Sequence, residues 1–153
     1  MFSYHTPDDE DFDVRANGRT QPFYQDEKGI HIQIGVIGCG NQGGVYKFQS
    51  EKDPSYFTAI KMFDAHTSAV EIEAEQEMMA LVHGFCHISD YRGNYFTRTV
   101  LMLMPFLSGV PLNKYLDSVT KFEDICQLYC SVAKSLDELH KKYRIAHKDF
   151  SVP

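Results

Sequence analysis

Lys61 ends the apolar stretch Thr58-Ala59-Ile60-Lys61, downstream of a glycine cluster, Gly38-Cys39-Gly40-Asn41-Gln42-Gly43-Gly44. Glycines in such a cluster let backbone N–H groups approach phosphate oxygens that a side chain would keep away. A strand-end ammonium adds a positive charge for the same oxygens. Glu75 lies in the Glu-rich run Glu71 to Glu77 further along the chain. Near the end of the sequence stands His147-Lys148-Asp149, which brings together residue types used in acid–base chemistry.

The elements that must position them follow from periodicity. Ile32, Ile34 and Val36 alternate with smaller or polar residues, as in a half-buried strand leading into the glycines. Val45 to Phe48 alternates again, and Tyr56 to Phe63 is a third strand. Thr67-Ser68 precedes a run of good helix formers, Ala69 to Val82. Ile88 to Tyr91, the turn Arg92-Gly93-Asn94 and Tyr95 to Phe106 predict two more strands. Pro111 suits the first turn of a short helix with Leu112, Tyr115 and Leu116. Thr120 and Glu123 have capping-box spacing, ahead of Phe122, Ile125, Leu128, Val132, Leu136 and Leu139 at helical steps to about Lys142. Residues 1–29, with Asp8-Asp9-Glu10-Asp11 and little periodicity, read as a flexible acidic arm.

Gly-x-Gly-x-x-Gly after a strand has two possible owners. Ile34-Gly35-Val36-Ile37-Gly38-Cys39-Gly40 resembles the first turn of NAD-dependent Rossmann oxidoreductases, with Asp64 where a ribose-binding acid is expected. That turn must open onto a helix, whereas Val45 to Phe48 reads as strand and Asp53-Pro54 follows soon after. A β-hairpin lying over the phosphates fits better.

The whole series resembles the protein-kinase family. Gly38, Gly40, Gly43 and Val45 match its glycine-rich loop, and Ala59-Ile60-Lys61 its lysine strand. Leu136-Asp137-Glu138-Leu139-His140 followed by Ile145-Ala146-His147-Lys148-Asp149 matches its long helix and catalytic loop. The resemblance implies an α+β fold. A five-stranded antiparallel sheet with one helix would span 30–107, hinge included, and an incomplete second lobe 108–153. It implies ATP held by Gly38, Cys39, Gly40, Gly43, Val45, Ala59, Lys61, Met104, Phe106 and Leu107, with Met104 as gatekeeper. Lys61 would pair with Glu75, with Glu71 as the alternative, and Asp149 would be the catalytic base. The implied reaction is phosphoryl transfer to a protein hydroxyl, Ser/Thr rather than Tyr.

Departures qualify that reading. Lys148 replaces the usual Arg, Pro105 replaces an acid and lacks a hinge N–H, and Gln42 replaces an aromatic loop tip. The implied Mg²⁺ needs an Asn and an Asp-Phe-Gly segment that do not occur at their places within these 153 residues. A truncated pseudokinase acting as a binding module is therefore the alternative, beside the dinucleotide enzyme.

Composition sets outer bounds. The chain is 43% hydrophobic and 24% charged, with a net charge of −6, which argues against a nucleic-acid backbone as partner. No leader or membrane span is evident, and Cys39, Cys86, Cys126 and Cys130 lack disulfide or zinc spacing. Reduced, packed cysteines in an intracellular protein are expected.

Overall fold

The computed structural model describes residues 1–84, 86–92 and 98–146. They divide into two compact units, Met1–Phe106 and Leu107–Pro153, the division falling within the expected hinge.

The first unit is a curled antiparallel sheet of seven strands. Strands β1 (Ser3–His5) and β2 (Phe23–Asp26) flank the short helix α1 (Phe12–Ala16). Next come β3 (Gly29–Gly40), β4 (Gly43–Ser50), β5 (Phe57–Phe63), helix α2 (Ala69–His83), β6 (His87–Arg92) and β7 (Arg98–Pro105). Spatial order is β1-β2-β3-β4-β5-β7-β6. The expectation of five strands is therefore corrected to seven, and the additional two come from the stretch read as a flexible arm. Acidic residues dominate its composition, but Tyr4, Phe12, Ala16, Phe23 and Tyr24 are all buried. Those side chains secure the segment whatever its charge. Asn17, within the same stretch, caps α1 in the left-handed conformation at φ 47°.

Strand pleating sorts the core into two faces. Phe48, Ile60, Leu101 and Leu103 pack with Tyr4 and Tyr24 on one. Ala59, Phe63, Met102 and Met104 pack with Ile72 of α2 on the other. Irregular registers in β3, between Gln33 and Gly35 and between Val36 and Gly38, help the sheet to bend. Ile34 and Val36, expected on a half-buried face, are exposed, and His31 is the fully buried residue of β3. Its ring stacks on Tyr24 at 4.4 Å, and its Nε2 lies 3.1 Å from Asp26 Oδ1.

The curl brings side chains of the two edge strands together. Phe2 meets His87 at 5.7 Å between ring centroids, and Tyr4 meets Tyr91 at 5.0 Å. The Tyr91 hydroxyl donates to Asp9 and lies 3.0 Å from Thr6 Oγ1. Burial, followed by the bond to Asp9, pushes the Tyr91 phenol up to about 12. Burial also drives Tyr4 and Tyr24 above the ordinary value. The folded state thus keeps protons that the unfolded chain loses near pH ~10. Above that pH the unfolded state binds fewer protons, so stability falls as pH rises toward about 12. A tyrosinate absorbance titration should show these phenols ionising late and together with loss of structure. Ordinary titration of every tyrosine in the folded state would contradict the packing.

The second unit holds α3 (Leu112–Ser118) and α4 (Phe122–Lys142). The expected Thr120–Glu123 capping box is one residue out of register. Lys121 is the N-cap and makes no side-chain cap bond, so Glu123 falls at the second helical position. The cysteines also need correction. All four are free as expected, but Cys39, Cys126 and Cys130 are exposed rather than packed. Among the described residues, no helix is long and apolar enough to cross a membrane.

Candidate functional site

Alternation decides which side chains meet. Val45 pairs with Lys61 across β4 and β5, and Ala59 pairs with Met104 across β5 and β7. Directly opposed residues share a sheet face, and Ala59 and Lys61 are two apart, so all four line the α2 side. Val45, Ala59 and Met104 belong to one cluster there.

Helix α2 starts where it does because Ser68 caps it. Its hydroxyl accepts from Glu71 N, while the Glu71 carboxylate accepts from Ser68 N at 2.9 Å. Gly84 ends the helix in the left-handed conformation, donating to Ala80 O at 2.8 Å. The box occupies Glu71, the alternative partner for Lys61. Glu75 lies one turn further on, on the side of buried Ile72. Lys61 Nζ donates to both Glu75 oxygens, at 2.7 and 2.8 Å. The side chains retain 14% and 24% of their exposure, so screening by water is incomplete. Gln42 Oε1 lies 3.4 Å from the same ammonium, and the Phe63 ring sits 4.7 Å beneath it. The Gln42 and Phe63 contacts carry no signal in residue spacing.

The glycines arrive as a hairpin. Gly40 pairs with Gly43 around the two-residue turn Asn41-Gln42, and β4 follows at once. The helix that a dinucleotide-binding turn requires does not follow these glycines. Side-chain-sized space is open at Gly38 and Gly40, where an added Cβ meets nothing within 4 Å. Backbone there can approach a ligand. Gly43 is different: its φ is +127°, and a Cβ would stand 1.8 Å from Met62 O. Its requirement for glycine comes from contact with β5, not from a ligand. Gln42 O accepts from Asp64 N at 3.1 Å, which anchors the hairpin tip to the end of β5. Cys39 is exposed beside Gly44.

Phe106, expected against a base, meets Phe57 at 6.0 Å, and Lys47 Nζ lies 4.1 Å from both ring centroids. This cation clamp fixes the end of the first unit and was not foreseen in the sequence, because Lys47 reads there as an ordinary outward strand residue. Leu107 is exposed and belongs to the second unit. Asp149, the expected base, lies outside the described residues, as do His147 and Lys148. Among the described residues, no group of three or more His, Cys, Asp or Glu side chains could hold a metal ion.

What the described residues assemble is an ammonium held by a carboxylate, beside glycine backbone open to approach. Such a group can receive the oxygens of a phosphate chain through charge-assisted hydrogen bonds. No protein-family model matches the chain, and no curated protein matches its sequence.

Proposed function

We propose that the first unit is a protein-kinase-like module that binds ATP on the face carrying Lys61. The observation that carries the reading is the two-pronged Lys61–Glu75 pair joining β5 to α2. The open backbone at Gly38 and Gly40 supports it. So do strands β3 to β7, with a single helix between β5 and β6 in chain order. In this reading Lys61 meets the α/β-phosphates, Glu75 keeps its ammonium aimed, and Val45, Ala59 and Met104 flank the base. Transfer to a Ser/Thr hydroxyl of a protein would rest on Asp149 and on Mg²⁺, both inferred from the resemblance alone. Mg²⁺ would neutralise charge on the phosphates.

A thermal-shift titration tests nucleotide binding. ATP at about a hundred times its Kd should stabilise the chain by ~2.7 kcal/mol. Lys61→Ala should weaken ATP binding about 10- to 100-fold, the worth of a hydrogen bond to a charged group. An unchanged ATP response in the variant, or a response to NADH and not to ATP, would overturn the proposal.

A further inference from the structure

A second site lies on the opposite face of the sheet. At one end of the curl, the start of β1, the β2–β3 turn and the starts of β5 and β6 converge on a cavity of about 430 Å³. Cavities of roughly this size suit small-molecule ligands, and mouths of curled or closed sheets are frequent places for them. Phe2, Tyr24, Tyr56 and Leu103 supply aromatic and apolar walls. Tyr24 and Thr58, at 0% and 2% exposure, add a buried hydroxyl pair whose oxygens lie 2.7 Å apart. Their mutual bond uses one hydroxyl hydrogen, so the other remains able to donate.

Charge narrows the ligand class. Asp26, Glu27, Lys28 and His87 also line the cavity, but Glu27, Lys28 and His87 are exposed. Asp26 Oδ1 already accepts from Lys28 N and Gly29 N and faces His31 Nε2. Lys28 Nζ donates to the Tyr56 hydroxyl at 2.9 Å and lies 4.7 Å from that ring's centroid. Beside the occupied Asp26 carboxylate and the half-buried Cys86 thiol, the less exposed lining offers rings, an aliphatic side chain and hydroxyls, where an unpaired ligand charge would lose its hydration uncompensated.

We propose that this mouth binds a small, flat, uncharged aromatic molecule with a single hydrogen-bonding edge. The ring stacks against Phe2 and Tyr56, and the edge meets the Tyr24–Thr58 hydroxyls. The site is independent of the nucleotide reading, because Thr58 and Leu103 lie on the face opposite Ala59 and Lys61.

Indole is the probe, titrated into the full chain while backbone amide resonances are followed by NMR. Saturable shifts centred on Tyr24, Thr58 and Leu103 are expected, with the weak affinity of a fragment. Thr58→Val should lower affinity about two- to tenfold through loss of one hydrogen bond. His87→Trp, at an exposed position on the wall, should plug the mouth and reduce affinity at least about tenfold without loss of folding. It keeps the test decisive if Thr58→Val fails to fold. Shifts that do not saturate, shifts centred elsewhere, or equal affinity in His87→Trp would overturn the proposal.

Discussion

Gly43→Ala is expected to destabilise the first unit by on the order of 4 kcal/mol, a large part of the ~5–15 kcal/mol that holds a domain together. Its φ of +127° is a conformation that a Cβ strains, costing roughly 1–3 kcal/mol. The new methyl would also stand 1.8 Å from Met62 O and 2.9 Å from Met62 C, both backbone atoms of the paired strand. A flexible side chain could turn aside, but this backbone is fixed by the β4–β5 ladder. The strands must therefore part where Gly43 pairs with Phe63, and Val45 pairs with Lys61 two residues along. Gly38→Ala and Gly40→Ala are the controls, since the space at both is open. They should leave the unfolding free energy from urea titration within about 0.5 kcal/mol of wild type while weakening the response to ATP. A Gly43→Ala chain as stable as its parent would show that the hairpin does not lie on β5 as described.

That contrast shows which parts of the site were legible in the sequence. Strands β3 to β7 and helix α2 were readable because strand alternation and a run of helix-forming residues are local properties. Glu75 was legible only through the family resemblance, in the order of Glu75-Gln76-Glu77-Met78-Met79, since Glu71 lies four residues back on the same helical face. The separate reason for Gly43 was not legible, since it depends on Met62 O in a different strand. Ile34 and Val36 alternate in the sequence as core residues do. The bulged register of β3 and the covering strand β2 instead bury His31, which no residue pattern announces. The N-terminal segment misled for a related reason. Its acids point to solvent in composition alone, while its few aromatic residues find partners only after the sheet has curled.

Tyr24→Ala is expected to destabilise the first unit by roughly 3–5 kcal/mol, and removal of residues 1–28 to abolish its cooperative folding. Tyr24 is fully buried, packs edge-on against Phe48 at 5.3 Å, stacks on His31 and bonds to Thr58 at 2.7 Å. Truncation leaves a cavity among Phe48, Ile60 and Leu103 and strips Thr58, 2% exposed, of its hydroxyl partner. An orphaned buried hydroxyl costs about 1–3 kcal/mol more, although the two losses overlap and do not simply add. Deleting residues 1–28 goes further. It removes β1, α1 and β2, and with them Tyr4, Phe12, Phe23 and Tyr24. Phe48, Ile60, Leu101 and Leu103, at most 4% exposed in the full chain, would then face water on one contiguous sheet surface. A patch of that kind drives association, so the shortened chain should aggregate or bind a hydrophobic dye more than the full chain does. The measurement is urea unfolding followed by circular dichroism, with dye binding alongside. A soluble, cooperatively folding chain without residues 1–28 would return the N-terminal segment to the role of a dispensable acidic arm.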